Sequence, residues 1–205
     1  MPAVSHAELL EAIWEAVPEG AEPERFAVRR DWLLRRVRPG ERVLDLGCGE
    51  GAFTAALRDH GAHPVGVDVV DEPLRRARAR HPGLAFQATP LEGPLVFDDG
   101  AFDVVWAGEV VEHVVDVAGW LSEVRRVLPS GGRLLLTTPD HPPQLLRRLA
   151  EDPDAFAAHF DPLADHLRFF TRGSLAGLLD DFGFAPVDVG SDGETLFAEA
   201  VRARF

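Results

Sequence analysis

Residues 43–51 read Val43-Leu44-Asp45-Leu46-Gly47-Cys48-Gly49-Glu50-Gly51. The run is apolar enough to be a buried strand, and three alternating glycines break it before an amphipathic stretch of helical type, Ala52 to Arg58. Glycine at 47, 49 and 51 permits positive φ and removes the Cβ atoms that would hold a bound molecule off the backbone. The amides that open the following helix then face an anionic group such as a carboxylate or phosphate. The order is therefore strand, tight loop, helix, arranged around a ligand.

Outward from this loop, the chain predicts a second strand over His63 to Val67, ending in Asp68. A carboxylate about 20 residues past the first glycine, at a strand's C-terminal end, is where doubly wound sheets hold ribose hydroxyls. The competing reading makes Asp68 an N-cap for the helix that starts near Asp71. A dinucleotide dehydrogenase fits poorly, since Gly47-x-Gly49-x-Gly51 lacks the longer final gap of that fingerprint.

Periodicity and breakers place the remaining elements. Two helices, about Ser5 to Val17 and Pro23 to Val37, precede the sheet, with Trp14, Phe26, Trp32 and Leu33 as apolar anchors. A helix near Glu72 to Arg80, a strand around Leu84 to Ala88 and a strand over Phe102 to Ala107 follow the first two strands. A helix over Val117 to Leu128 stops at Pro129-Ser130-Gly131-Gly132, ahead of a strand over Arg133 to Thr138. Short helices over Pro142 to Leu149 and Pro153 to His159 interrupt the alternation, so residues 140–170 read as an insertion that shapes a substrate site. A helix over Thr171 to Asp181 and two strands, Phe184 to Val189 and Glu194 to Arg202, close the chain as antiparallel neighbours. Alternating strands and helices imply a single α/β domain, residues 1–205, with a Rossmann-like, mainly parallel sheet behind N-terminal helices in residues 1–40.

Composition narrows the function. With 46% hydrophobic and 27% charged residues the chain suits a globular domain, and no apolar run nears the ~20 residues of a membrane span. The first twenty residues carry acids and no basic region before an apolar core, so a secretory leader is not expected and a cytoplasmic location is. A net charge of −13 opposes a nucleic-acid partner, which needs a basic face. The single cysteine, Cys48, sits where a small residue suffices and reads as packing. Arg75, Arg76, Arg78 and Arg80 read as a solvated helix face.

A second constellation follows the fourth strand: Glu109-Val110-Val111-Glu112-His113. If this begins a helical turn, Glu109, Glu112 and His113 lie at i, i+3 and i+4 and share a face. Mixed oxygen and nitrogen donors suit a divalent cation such as Mg, with His166 of Asp165-His166 as a fourth ligand. Without a metal, Glu112 and His113 cap the turn or orient a substrate, and His166 is a hydrogen-bonded structural histidine.

These residues together resemble the class I S-adenosylmethionine-dependent methyltransferases over nearly the whole chain after about residue 25. Val43 to Phe53 is similar to the family's first motif, Phe102-Asp103-Val104-Val105 to its fourth strand, and Leu128 to Leu136 and Leu178 to Phe184 to later signatures. The resemblance implies seven strands with a terminal hairpin, and S-adenosylmethionine held by the first motif, with Asp45, Gly47, Gly49 and Gly51. It implies Asp68 at the ribose, Leu91 at the adenine and the backbone near Gly108 at the amino group. Arg29 is a possible partner of the cofactor carboxylate or, alternatively, a surface arginine.

The Glu109 to His113 set resembles the quinone-biosynthesis O-methyltransferases. It also resembles the small-RNA 2′-O-methyltransferases, in which two glutamates and two histidines hold a metal. The expected function is O-methylation of a small-molecule hydroxyl. Alternatives are a metal-dependent RNA 2′-O-methyltransferase and a non-catalytic S-adenosylmethionine-binding domain. His113 and His166 are the catalytic candidates, with His141 a weaker third. Phe156, Phe160, Phe169 and Phe170 with Arg147, Arg148 and Arg168 are compatible with an aromatic or acidic acceptor, and equally with ordinary packing. Oligomeric state is not legible.

Overall fold

A computed structural model describes residues 6–90, 93–161 and 164–204. Along the chain run α1 (His6–Ala16), α2 (Phe26–Leu34), β1 (Arg42–Leu46), α3 (Ala52–Asp59), β2 (His63–Asp68), α4 (Asp71–Arg80), β3 (Ala85–Ala88) and β4 (Val104–Gly108). There follow α5 (Val117–Val127), β5 (Arg133–Pro139), α6 (Pro143–Glu151), α7 (Pro153–His159), α8 (Arg172–Asp181), β6 (Phe184–Ser191) and β7 (Thr195–Arg202). The seven strands form one sheet in the order β3-β2-β1-β4-β5-β7-β6. Pairing from β3 through β5 is parallel, and β7 runs antiparallel to both β5 and β6.

The central strands owe their place to their side chains. In β1, β4 and β5 nearly every residue is buried, as strands covered on both faces must be. Alternation then divides each strand between two cores. Leu44, Val105, Leu134 and Leu136 face α5 and α8, where Leu121, Val124, Leu175 and Leu179 meet them. Val43, Val104, Trp106 and Leu135 face the opposite layer, with Leu33 of α2 and Phe53 and Leu57 of α3. Each such side chain contributes ~1.5–3 kcal/mol by leaving water.

Two boundaries differ from expectation for local reasons. β4 begins at Val104, not Phe102, because Asp103 accepts the Arg42 backbone N–H at 2.9 Å and binds its guanidinium. α2 is shorter than predicted at its start because Arg25 sits at φ 53, a left-handed conformation that a helix cannot include. Of the α4 arginines, Arg75, Arg78 and Arg80 form the exposed face expected of them, and Arg76 does not. Arg76 is buried, at 7% exposure, and fastens α1 to α4. Its guanidinium donates to the carbonyls of Val17 at 2.8 Å and Trp14 at 3.3 Å, while Glu72 and Glu50 accept from it at 2.7 and 3.1 Å. Glu50 also accepts from Gly20 N–H at 2.9 Å, so the chain leaving α1 is tied to the glycine loop itself.

The order of strands sets the position of the site. From β1 the chain proceeds outward through β2 and β3, then returns to β4 on the other side of β1 and proceeds through β5. The C-terminal ends of β1 and β4 thus flank the switch point, where open α/β sheets leave a crevice. Arg76→Met should free α1 while leaving the two cores intact. Limited proteolysis between residues 6 and 20 is expected to speed up by about tenfold, the signature of a local opening. Unchanged cleavage would mean that the apolar face of α1 holds it without the arginine.

Candidate functional site

At that switch point lies a cavity of about 600 Å³. Its floor is the end of β1 and the end of β2. Gly47 and Cys48 both donate to the carbonyl of Val67, at 2.8 and 2.9 Å, which folds the loop back over β2. Gly49 N–H donates to Asp68 Oδ2 at 2.9 Å and Val70 N–H to Asp68 Oδ1 at 3.1 Å. Asp68 is therefore not the N-cap of α4, a position that Val70 occupies without a side-chain bond. Burial raises the Asp68 pKa, opposed by the amides of Gly49 and Val70. Space for a ligand comes from missing Cβ atoms: one at Gly47, where φ is +79, would lie 2.5 Å from Val110.

Gly47 and Asp68 line the cavity. Gly49 and Gly51 shape the loop behind them, Gly51 at φ 82 as the N-cap of α3. Asp45 is not on the wall. It is 1% exposed and accepts from Thr54 Oγ1 at 2.5 Å, with its pKa pushed up to about 7 by burial. Gly108 closes β4 against Arg29 and Trp106, and the cavity begins at the next residue, Glu109. Leu91 lies outside the described residues. Cys48 packs with Leu74, Ala77 and Phe86, and burial raises its pKa, so it is a thiol.

The Glu109 to His113 segment is not helical. Glu109 adopts φ 58, and the turn comprises residues 111–113. That left-handed step removes Glu109 from the shared face that helical spacing predicts. Glu109 instead points toward Arg29, whose Nε is 3.7 Å from it. Arg29 is no surface residue either. It is 3% exposed, donates to Thr137 Oγ1 at 3.0 Å and the Glu24 carbonyl at 2.9 Å, and stacks over Phe53. Desolvation lowers its pKa, with Glu109 the chief opposing influence.

Glu112, His113 and His166 do come together, offering ligand atoms within 4.8 Å of one another. Glu112 is completely buried; Thr138 Oγ1 donates to its Oε2 at 2.9 Å, and its Oε1 has no hydrogen-bond partner. Burial, with Glu109 adding repulsion, pushes its pKa up to about 8. His113 lines the cavity, and its Nδ1 lies 3.1 Å from the Asp165 carbonyl. Burial lowers the His113 pKa, partly offset by Asp165. His166 meets the His113 ring edge-on at 4.8 Å between centroids. His141 is buried away from the cavity against His159 and Phe169.

The outer wall comes from an element the sequence reading had not assigned to the site. Leu10, Ile13, Trp14 and Val17 of the α1 region line the cavity, whereas Asp165 does so alone among the described residues of 140–170. Phe160 and Phe169 cluster with His141 and His159, Phe170 enters the core, and Arg168 donates to the Val115 carbonyl at 2.6 Å. The α1 stripe was visible as i, i+3, i+4, i+7 spacing, which marks an apolar face without saying whether a sheet or a cavity lies beneath it. Asp165 carried no such signal, because its contact with His113 spans 52 residues.

A sequence family described as methyltransferase domain matches residues 21–189. Ubiquinone biosynthesis O-methyltransferase of Aeromonas salmonicida (strain A449) is 34% identical over 166 residues, 74% of this chain and 69% of that protein. Malonyl-[acyl-carrier protein] O-methyltransferase of Erwinia billingiae (strain Eb661) is 37% identical over 119 residues, 58% of this chain and 44% of that protein. The chain spans about half the length of the first curated relatives it matches, 44% and 51%. A solved S-adenosylmethionine-dependent methyltransferase from Methanosarcina mazei superimposes with a TM-score of 0.64 at 24% identity, covering 85% of this chain and 98% of that one.

Glu112 gives a stability prediction. A carboxyl whose folded pKa is raised binds a proton in the native state that the unfolded chain lacks between about pH 4.5 and 8, so its contribution falls as pH rises through that window. Glu112→Gln mimics the neutral acid. In chelator-treated protein it should raise Tm by about 3–6 °C at pH 8.5 and leave it unchanged near pH 4.5, measured by thermal unfolding. A Tm lowered at pH 8.5 and not near pH 4.5 would show that Glu112 stays ionised.

Proposed function

The chain belongs to the methyltransferase-domain family, and from that premise we propose that it methylates a hydroxyl of a small molecule using S-adenosylmethionine. One observation carries the reading: His113, a half-buried imidazole whose partial desolvation favours the neutral form, lines the same cavity as Gly47 and Asp68. The Asp165 carbonyl beside Nδ1 selects the tautomer with hydrogen there, leaving Nε2 as the proton acceptor. The O-methyltransferase names of the relatives support an oxygen acceptor.

When bound, S-adenosylmethionine supplies a methyl group on a cationic sulfur that a nucleophile takes by direct displacement. The protein's work is to bind, align and keep water out. The glycine loop admits the ligand against its backbone, and Asp68 offers a carboxylate to ribose hydroxyls. Leu10, Ile13, Trp14 and Val17 cover the opposite side and exclude water. His113 Nε2 accepts the hydroxyl proton as the oxygen attacks, and Asp165 stabilises the imidazolium that forms. Net charge −13 weighs against the RNA reading, and the presence of both Asp68 and His113 on one cavity wall weighs against a non-catalytic domain.

A second reading rests on the orphaned Glu112 Oε1. Glu112, His113 and His166 would hold a divalent cation, and without Glu109 the donor set is one carboxylate and two imidazoles. Such a set suits a first-row transition ion better than Mg²⁺, which prefers oxygen. Its chemistry would be to lower the pKa of an acceptor hydroxyl.

Titration calorimetry should show S-adenosylmethionine binding that weakens about 100-fold in Asp68→Ala, the loss expected for charged hydrogen bonds to two hydroxyls. No binding by the native chain would remove the methyltransferase reading. His113→Ala should keep cofactor affinity and lose about 10²–10⁴-fold in kcat. As the base must be neutral, kcat/KM should rise with pH through a midpoint below the ordinary histidine value of ~6.5 and then plateau. Asp165→Asn removes the carboxylate that raises the His113 pKa, so the rising limb should move to lower pH. Full activity in excess chelator supports His113 as a metal-free base; activity lost to chelator and restored by Mn²⁺ supports the cation.

A further inference from the structure

The apolar stripe of α1 faces the cavity. Leu10, Ile13, Trp14 and Val17 are each half-buried, and all four line it. Trp14 also lies across the glycine loop, so close that a Cβ at Gly49 would be 2.9 Å from its ring. With 11 residues, α1 is shorter than the ~12–15 at which an isolated helix begins to hold in water, so it depends on what it docks against. An element that turns its apolar face to a cavity opens locally, at a free energy below that of global unfolding.

What holds α1 is polar and lies to its side, where it packs on α4. Arg76 of α4 donates to the carbonyls of Trp14 and Val17, and Glu11 Oε1 accepts the Asp71 N–H at 3.2 Å. The Arg76 Nη1 that reaches Val17 also donates to Glu50 Oε1 at 3.1 Å. Glu50 stands between Gly49 and Gly51 in the glycine loop and is 8% exposed. Its Oε2 accepts the Gly20 N–H at 2.9 Å and pairs with Arg80 at 3.2 Å. One buried ion pair therefore joins the helix over the cavity to the loop beneath it. Neither Arg76 nor Glu50 is among the described residues that line the cavity.

Accepting the methyltransferase reading, on which this rests, we propose that α1 is a lid on the cofactor site, latched by Arg76 to Glu50. S-adenosylmethionine enters and S-adenosylhomocysteine leaves when the latch opens. A ligand in the cavity gives the stripe of Leu10, Ile13, Trp14 and Val17 a surface to cover, so ligand binding and docking of the lid stabilise each other. Arg76 and Glu50 are positioning residues: they touch no reacting atom, and they set how fast the cofactor is exchanged.

Exchange of S-adenosylhomocysteine tests the proposal, with association and dissociation rates from stopped flow and affinity from calorimetry. A latch that holds the lid shut in both the free and the bound protein slows both directions alike. Arg76→Met should therefore raise kon and koff together, by about tenfold, and change Kd by less than about threefold. Glu50→Gln, which keeps an acceptor for the Gly20 N–H and removes the charge, should move both rates the same way, and it decides where Arg76→Met does not fold. A rise in koff with kon unchanged makes α1 a fixed wall and overturns the proposal, as does no change in either rate. Saturating S-adenosylhomocysteine should also slow proteolysis of the native chain between residues 6 and 20 by at least about tenfold, and an unchanged rate overturns the proposal. No binding by the native chain removes the methyltransferase reading and the lid with it, whereas intact binding with unaltered exchange removes the lid alone.

Discussion

The carbonyl of Val67 accepts two amides, from Gly47 at 2.8 Å and Cys48 at 2.9 Å, and the next residue along β2, Asp68, accepts a third from Gly49 at 2.9 Å. This clasp between the end of β2 and the turn after β1 is the constraint from which the site follows. It requires positive φ at Gly47 and Gly49, where a side chain would be strained. It also fixes where α3 starts, because the turn delivers Gly51 to its N-cap. Asp68 thereby has two duties: it holds the loop and lines the cavity that the loop opens. A change at Asp68 reaches the ligand both directly and through the backbone.

On the β4 side the corresponding constraint is electrostatic. Glu109 occupies a left-handed conformation that costs a non-glycine residue of order 1 kcal/mol or more. Arg29 stands opposite, with its guanidinium beside Gly108, over Phe53 and bonded to Thr137 of β5. Removing an arginine from water is costly, and it is tolerated where planar hydrogen bonds, an aromatic face and carboxylates surround it. Arg29 thus connects the α2 layer, β5 and the loop after β4. The left-handed step at Glu109 also carries Glu112 inward beneath Thr138 and His113 to the cavity wall. The buried charge of one helix so determines which side chains the loop presents.

Legibility in the sequence followed the range of each interaction. Strand and helix positions rest on local signals, burial alternation and breakers, and they match within a few residues. The glycine loop was readable because its requirement is conformational and local. The hairpin of β6 and β7 was readable from a short turn. What escaped were contacts between distant segments. Helical spacing at Glu109, Glu112 and His113 was a sound local inference that a long-range partner, Arg29, overrode. Arg76 read as solvated because the α4 sequence contains nothing to indicate that α1 ends against it. Residues 140–170 read as the substrate wall because insertions there usually are, whereas most of their aromatic rings pack on one another and on His141.

The meeting of His113 with His166 shows how little of a site need be encoded in its side chains. The peptide carbonyl of Glu112 accepts the amides of Leu167 at 2.8 Å and Arg168 at 3.2 Å. Farther along, His141 N–H donates to the Phe170 carbonyl at 2.9 Å, beside the parallel bridge between Asp140 and Phe170. These main-chain bonds dock residues 165–170 across the C-terminal ends of β4 and β5 whatever the side chains are. Asp165 and His166 are consequently delivered to His113 by backbone pairing, and their identities are free to set the chemistry. Substitution at 165 or 166 should change the basicity of His113 without undoing the strap, while the peptide carbonyl of residue 165 keeps its tautomer. The fold fixes the place of the imidazole, and the residues at 165 and 166 tune what it can do.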